Sequence, residues 1–231
     1  MILEGISEGL NLLFCGDAEV WSIVSVSVRV SACSTAIAAA LALPVGLLVG
    51  QGRFRGRRIV LTVLNTLMAL PTVLVGLLVY AFISRSGPLG GWELLYTPAA
   101  MIVGQVVLAF PIIAGFTAAG MEKADPRILL TVRALGAGRL RSLLTAAAEG
   151  RAALAGAVAA GFGRVFAEVG VSMMLGGNIR GSTRNITTGI AFETGKGEFA
   201  LGVALGVVLL GVALGVNLLV SALGFRSGRR A

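Results

Sequence analysis

The chain has 231 residues, 56% of them hydrophobic and only 13% charged, with mean hydropathy +0.92, whereas a soluble domain carries roughly a quarter of its residues as charges. Five stretches of twenty or more residues are free or nearly free of Asp, Glu, Lys and Arg, and about 20 apolar residues at 1.5 Å rise cross a hydrocarbon core of roughly 30 Å, so a polytopic membrane protein is expected rather than a soluble one. Histidine is absent, the two cysteines Cys15 and Cys33 cannot form a metal cluster, and no GxxxxGK[ST] loop occurs, which argues against zinc, haem and di-iron chemistry and against ATP binding by a P-loop.

Residues 1–19 place Ile2, Leu3, Ile6, Leu10, Leu13 and Phe14 at helical spacing opposite Glu4 and Glu8, which predicts a short amphipathic helix on the membrane surface. A first span is expected at about 20–50, with Pro44 as a potential kink, Cys33 as a small buried residue and Arg29 near its outer third, where it can snorkel. The second runs over about 59–84 and carries Pro71. The third, about 94–121, contains Pro111 and follows a turn-rich link flanked by Trp92 and Tyr96. A fourth covers about 152–175 and a fifth about 199–224, with a basic tail at 226–231. An all-α bundle of about five transmembrane helices over 20–225 leaves no separate catalytic domain. The chain is not expected to be an enzyme or to need a cofactor, and its energy source must lie elsewhere.

The basic residues give an orientation. Arg53, Arg55, Arg57 and Arg58 fall between spans one and two, Lys123 to Arg151 between three and four, and Arg226, Arg229 and Arg230 after span five; all lie on one side. The opposite side holds only Arg85, Arg180, Arg184 and Lys196. The positive-inside rule then puts the N-terminus outside and the C-terminus in the cytoplasm of a multi-pass plasma-membrane protein.

Three segments carry candidate function. The link 122–151 opens with Asp125-Pro126, an N-cap followed by proline, and breaks at Gly136-Ala137-Gly138 before a second short helix; thirty residues is long for a connection between spans. In the fourth span Arg164 and Glu168 are four apart, hence expected on one helix face, and such residues face protein or water. Both an internal ion pair that fixes packing and a role in a pathway or gate fit this spacing. Beyond it, Asn178, Arg180, Thr183 and Arg184 supply donors suited to tetrahedral oxyanions, in a segment that fits equally a plain polar loop or a contact for an external delivery protein. Small residues along the spans, as in Gly202-xxx-Gly206, allow close helix approach.

The run Arg133-Ala134-Leu135-Gly136-Ala137 resembles the cytoplasmic coupling loop of ABC importer permeases, although the positions of the motif's Glu-Ala-Ala and Leu-Pro are Leu130-Thr131-Val132 and Ala148-Glu149 here. The following stretch, from Gly161 through Arg164, Glu168, Gly170, Ser172, Gly177-Asn178 and Arg180-Gly181 to Thr187-Thr188 and Glu193 to Glu198, is similar to permeases of tungstate importers and less closely to those for molybdate and sulfate. The resemblance covers about 20–225 and implies the type I permease fold. It implies residues 133–137 as the docking point for an ATP-hydrolysing subunit and Arg164, Glu168 and Ser172 as candidates for the pathway or gate. It further implies a second copy of the chain, a solute-binding protein outside, and transport of an oxyanion, with tungstate favoured over molybdate and sulfate. No metal site and no nucleic-acid partner are expected. An ion-coupled secondary transporter would need carboxylates or broken helices at midplane in two related halves; Glu168 alone meets that requirement, and no internal repeat is evident.

Overall fold

The computed structural model describes residues 7, 11, 13–52, 54–122, 127, 131–132 and 134–228, and every regular element among them is helical. The amphipathic reading of 1–19 and the Asp125-Pro126 helix start fall largely outside these residues. The first long helix, α1 (Ala18–Gln51), starts where the Asp17 carboxylate accepts from the Glu19 and Val20 amides at 2.9 and 3.0 Å, an N-cap that satisfies donors with no intrahelical partner. It continues unbroken through Pro44. Cys33 lies on it but is exposed, as is Cys15, and both are free thiols. This corrects the buried position expected for Cys33: with its neighbours Ala32, Ala36 and Ile37 it lies on a face of α1 that is exposed among the described residues.

The second span is not one helix. It divides into α2 (Arg57–Met68) and α3 (Thr72–Ile83), bent by 98° at Ala69-Leu70-Pro71. Pro71 has no amide hydrogen and disfavours helical backbone at the residue before it. The 3-10 turn Gly90–Trp92 leads to α4 (Pro98–Glu122), which accommodates Pro111 without breaking and begins at Pro98 rather than at residue 94. After the link, α5 (Arg139–Glu149) turns by 77° into α6 (Arg151–Phe166). The fourth span also departs from expectation. Its helix ends at Phe166, and a separate short helix, α7 (Gly170–Gly176), continues toward the Pro98 end of α4. A capping box on Asn185 opens α8 (Ile186–Lys196), and α9 (Phe199–Gly228) completes the bundle. Among the described residues three helices are long and apolar enough to cross a membrane alone, and the two bent pairs raise the number of spans to as many as five.

Helix α4 is the central strut. Parallel to it runs α1: Ser34 meets Gln105, Gly46 lies against Ala114 and Thr117, and Gly50 against Ala118 and Met121. A Cβ on Gly46 would stand 2.6 Å from the Ala114 carbonyl oxygen, so glycine sets how near the two backbones come. On the opposite course, α6 and α7 pair Gly150 with Met121, Gly161 with Ile113 and Gly176 with Met101. The buried core follows these contacts through Ala38, Ala42, Leu64, Val75, Leu108, Ile113, Val165, Val171 and Leu175. A second cluster of Val20, Ile23, Val24, Phe166, Ile186 and Leu205 ties α8 and α9 to the start of α1. On α9, Leu210, Leu214 and Leu218 point outward and are more than half exposed, the expected character of a face toward lipid.

Candidate functional site at the junction of two broken spans

Along α4, Glu122 marks one end and Pro98 the other, about 36 Å apart at 1.5 Å per residue. Arg164 lies one turn beyond Gly161, which touches Ile113, and Glu168 precedes Val171, which lies beside Gly104. The pair therefore sits near the middle of the strut, at the membrane's midplane if α4 crosses it. The break in the second span reaches the same place: the first residues of α3 abut the start of α7, and a Cβ on Gly170 would stand 3.1 Å from both Thr72 Oγ1 and Val73 Cγ2.

Arg164 Nη1 donates to Glu168 Oε2 at 2.7 Å, but the two residues are not on one helix as their spacing suggested. The reason is local. Glu168 Oε1 accepts from the Val171 amide at 3.2 Å, the Thr187 hydroxyl donates to the Glu168 carbonyl at 2.7 Å, and the Thr187 hydroxyl also reaches Asn185 Oδ1. With its side chain capping α7 and its carbonyl held by α8, Glu168 cannot continue α6. The environments of the two partners differ sharply: Glu168 is 2% exposed, whereas 40% of the Arg164 side-chain surface is open. Ser172, one turn into α7, is fully buried and accepts from Gln105 Nε2 at 3.4 Å, while Gln105 Oε1 accepts from Ser34 at 2.9 Å. This polar thread joins α1, α4 and α7 across the apolar core. Motif and spacing arguments pass over Ser34 and Gln105, although Gln105 is the one carboxamide in the third span and a lone amide in such a span requires a partner.

The donors that follow α7 are already engaged. Arg180 pairs with Glu19, and Arg184 bridges Glu193 at 3.0 Å and Glu19 at 3.4 Å. Lys196 meets Glu193 at 3.3 Å, and both Arg184 and Lys196 stack on Phe192. Thr183 donates to the Gly176 carbonyl and accepts from the Ile179 amide. Asn178 adopts φ 53°, with its buried Oδ1 lacking a partner among the described residues. The structure thus brings Arg180, Thr183 and Arg184 close to Asn178, but the positive charge of the arginines is offset by Glu19 and Glu193.

At the Glu122 end, Gly136 has φ +80° and Gly138 is extended with φ −66° and ψ 171°. The left-handed turn at Gly136 leaves Leu135 82% exposed, with Ala134 before it and Ala137 after it; Arg133 is outside the described residues. Leu140 and Leu144 on α5 are likewise exposed, so an apolar patch lies next to a glycine turn.

Comparison with known proteins agrees with this architecture. Residues 42–229 match the model of the family described as binding-protein-dependent transport system inner membrane component. The tungstate uptake system permease protein TupB of Peptoclostridium acidaminophilum is 42% identical over 208 residues, covering 90% of this chain and 91% of that protein. TupB of Campylobacter jejuni is 39% identical over 208 residues, with 90% and 87% covered. The molybdenum transport system permease protein ModB of Escherichia coli is 28% identical over 179 residues, 72% of this chain and 76% of its own. Among solved structures, a chain of a bacterial alginate ABC transporter, crystallised with its alginate pentasaccharide-bound periplasmic protein, superposes with TM-score 0.70 at 19% identity, covering 94% of this chain and 82% of that one. The chain belongs to the family of inner membrane components of binding-protein-dependent transport systems, as a multi-pass permease subunit.

Proposed function

We propose that this chain is the translocation subunit of an ATP-driven importer of a tetrahedral oxyanion, tungstate, and that it works as a homodimer around a central pathway. The observation that carries the reading is the identity of 42% and 39% over nine-tenths of the chain with two tungstate uptake permeases. Molybdate is the second reading, favoured by the 28% identity to a molybdenum permease. Broken spans also occur in ion-coupled transporters, but the family match favours a binding-protein-dependent system.

In this reading, ATP is hydrolysed by a separate subunit that docks on the exposed turn Ala134, Leu135, Gly136 and Ala137, with Arg133 beside it. The basic segments between the spans support a cytoplasmic position for that turn and for the C-terminus, with the N-terminus outside. Closure of the ATPase subunits draws the two copies' links together and opens the pathway outward, and hydrolysis resets it. A solute-binding protein delivers the anion to the face formed by Asn178, Arg180, Thr183 and Arg184. Because the arginines there are paired with Glu19 and Glu193, this face suits charge-patterned protein docking better than tight capture of a dianion. At midplane Arg164 provides the half-open positive group, Glu168 offsets it, and Ser172 anchors the adjoining helix, so the anion meets a weak site it can leave. Calorimetry of the cognate binding protein with tungstate, molybdate and sulfate, together with ATP-driven uptake by the reconstituted complex, tests the assignment. Selective tungstate binding and uptake are expected. Equal or tighter binding of molybdate or sulfate would move the substrate assignment.

A further inference from the structure

We infer that one face of α2, carrying Arg58, Thr62, Asn65 and Thr66, lines a water-filled vestibule through which the anion passes between the midplane junction and the Glu122 end of the bundle. The inference rests on the importer reading above and adds to it a stretch of the pathway.

Helix α2 climbs into the bundle. Its start is fixed where Arg57 donates to the Val49 carbonyl at 2.8 Å and pairs with Glu122. Its far end, Met68, touches Gly115 of α4, seven residues or about 10 Å up the strut. Between them Leu64 is buried with Ala38, Ala42, Leu108 and Ile113. The second half of α2 therefore lies at the depth of the apolar core, not across the end of the bundle.

The exposed surface of this helix is divided. At about 100° per residue, Arg58, Thr62, Asn65 and Thr66 fall within an arc of about 100°, and Ile59, Val63 and Leu67 occupy the next about 80°. All seven are exposed. The apolar arc is what a lipid or a packed helix would accept. The polar arc is not: the Asn65 carboxamide has no hydrogen-bond partner among the described residues, and an amide without partners is strongly disfavoured in hydrocarbon. The two threonines satisfy their hydroxyl hydrogens on their own helix, Thr62 on the Arg58 carbonyl at 2.9 Å and Thr66 on the Thr62 carbonyl at 2.8 Å. That leaves the Asn65 amide and the Arg58 guanidinium, itself without an ion-pair partner among the described residues, as the free donors of the stripe. They are two turns apart, too far to grip one tetrahedral dianion together. Water fits such a surface, and an anion moving with its hydration shell meets successive weak donors, as conduction requires.

The test uses the full complex, labelled in inverted vesicles where the cytoplasmic side faces the reagent and then purified and reconstituted for uptake, with Cys15 and Cys33 replaced by alanine and single cysteines at 62, 65, 66 and, for comparison, 59, 63 and 67. A charged thiosulfonate reacts with the thiolate, which forms in water and not in lipid, so reaction at 62, 65 and 66 should be on the order of tenfold faster than at 59, 63 and 67. Modification of Asn65→Cys should block ATP-driven uptake, and tungstate should slow its labelling. Equal reactivity on both arcs, or full uptake after complete modification at Asn65→Cys, overturns the vestibule. Absence of tungstate uptake by the unmodified complex refutes instead the substrate reading, and the ratio of labelling rates on the two arcs still decides whether the stripe faces water.

Discussion

The unequal burial of Arg164 and Glu168 makes an asymmetric prediction. Replacing Arg164 by Gln leaves Glu168, 2% exposed, with the Val171 amide as its remaining donor at 3.2 Å; a buried carboxylate stripped of its cation costs roughly 3–5 kcal/mol, and the retained amide bond places the expectation at about 3 kcal/mol. Glu168→Gln keeps the shape and the acceptor oxygen that caps α7. The Arg164 side chain it releases is already 40% exposed and can turn to water, and a pair open to that degree is worth at most about 1 kcal/mol after solvent screening. The two single variants should therefore differ by about 2 kcal/mol, or about 4–8 °C in midpoint for a chain of this length. The double variant should return to the level of Glu168→Gln. Thermal unfolding of the purified complex in detergent measures this directly. A Glu168→Gln protein less stable than Arg164→Gln, or a double variant no better than Arg164→Gln, would refute the reasoning. Uptake by the double variant then separates the roles: stable and fully active protein removes the pair from the pathway, and stable but inactive protein places it there.

The turn at Gly136 should be sensitive to backbone and not to bulk, since its φ is +80° and no atom of the described residues lies within 4 Å of an added Cβ. Gly136→Val should cost roughly 1–2 kcal/mol of local strain and depress uptake while the chain still inserts, whereas Gly138→Ala, at φ −66°, should be tolerated; normal transport by Gly136→Val would disprove docking at this turn. Gly104→Ala should drive a Cβ to 2.4 Å from Leu175 Cδ1 and 2.5 Å from Val171 Cγ1, lowering stability by about 1–3 kcal/mol through overpacking, while Gly156→Ala, with open space around it, should leave the melting midpoint unchanged or raised. Single cysteines near Arg55, Gly138 and Ser227 should label only from the cytoplasm; labelling of any one from outside refutes the orientation.

Hydrophobic content along the chain was enough to determine that this is a membrane helix bundle, because a continuous apolar run of about 20 residues matches a helix crossing the bilayer, whereas a barrel strand crosses in about ten residues of alternating polarity. The first, third and fifth spans could be placed from charge-free runs alone, and the glycine turn at 136 from its composition. What periodicity could not decide was where a run of apolar residues stops being one helix. Pro44, Pro111 and Pro71 look alike in sequence, yet only Pro71 breaks its span, since tolerance of a proline depends on whether neighbouring helices accommodate the missing hydrogen bond. The spacing of Arg164 and Glu168 put both on one helix face, and the ion pair they form in the structure has another origin: Glu168 leaves the helix, with Val171 and Thr187, the latter 19 residues away, claiming its carboxylate and its carbonyl. Likewise the sequence leaves Arg180 and Arg184 open as anion donors, as part of a plain polar loop or as a contact for a delivery protein, and it gives no sign that Glu19, 161 and 165 residues distant, is folded against them. Local composition determines which segments enter the membrane. Which polar groups are spent on one another and which remain for an anion is decided by long-range contacts that exist only in the folded bundle.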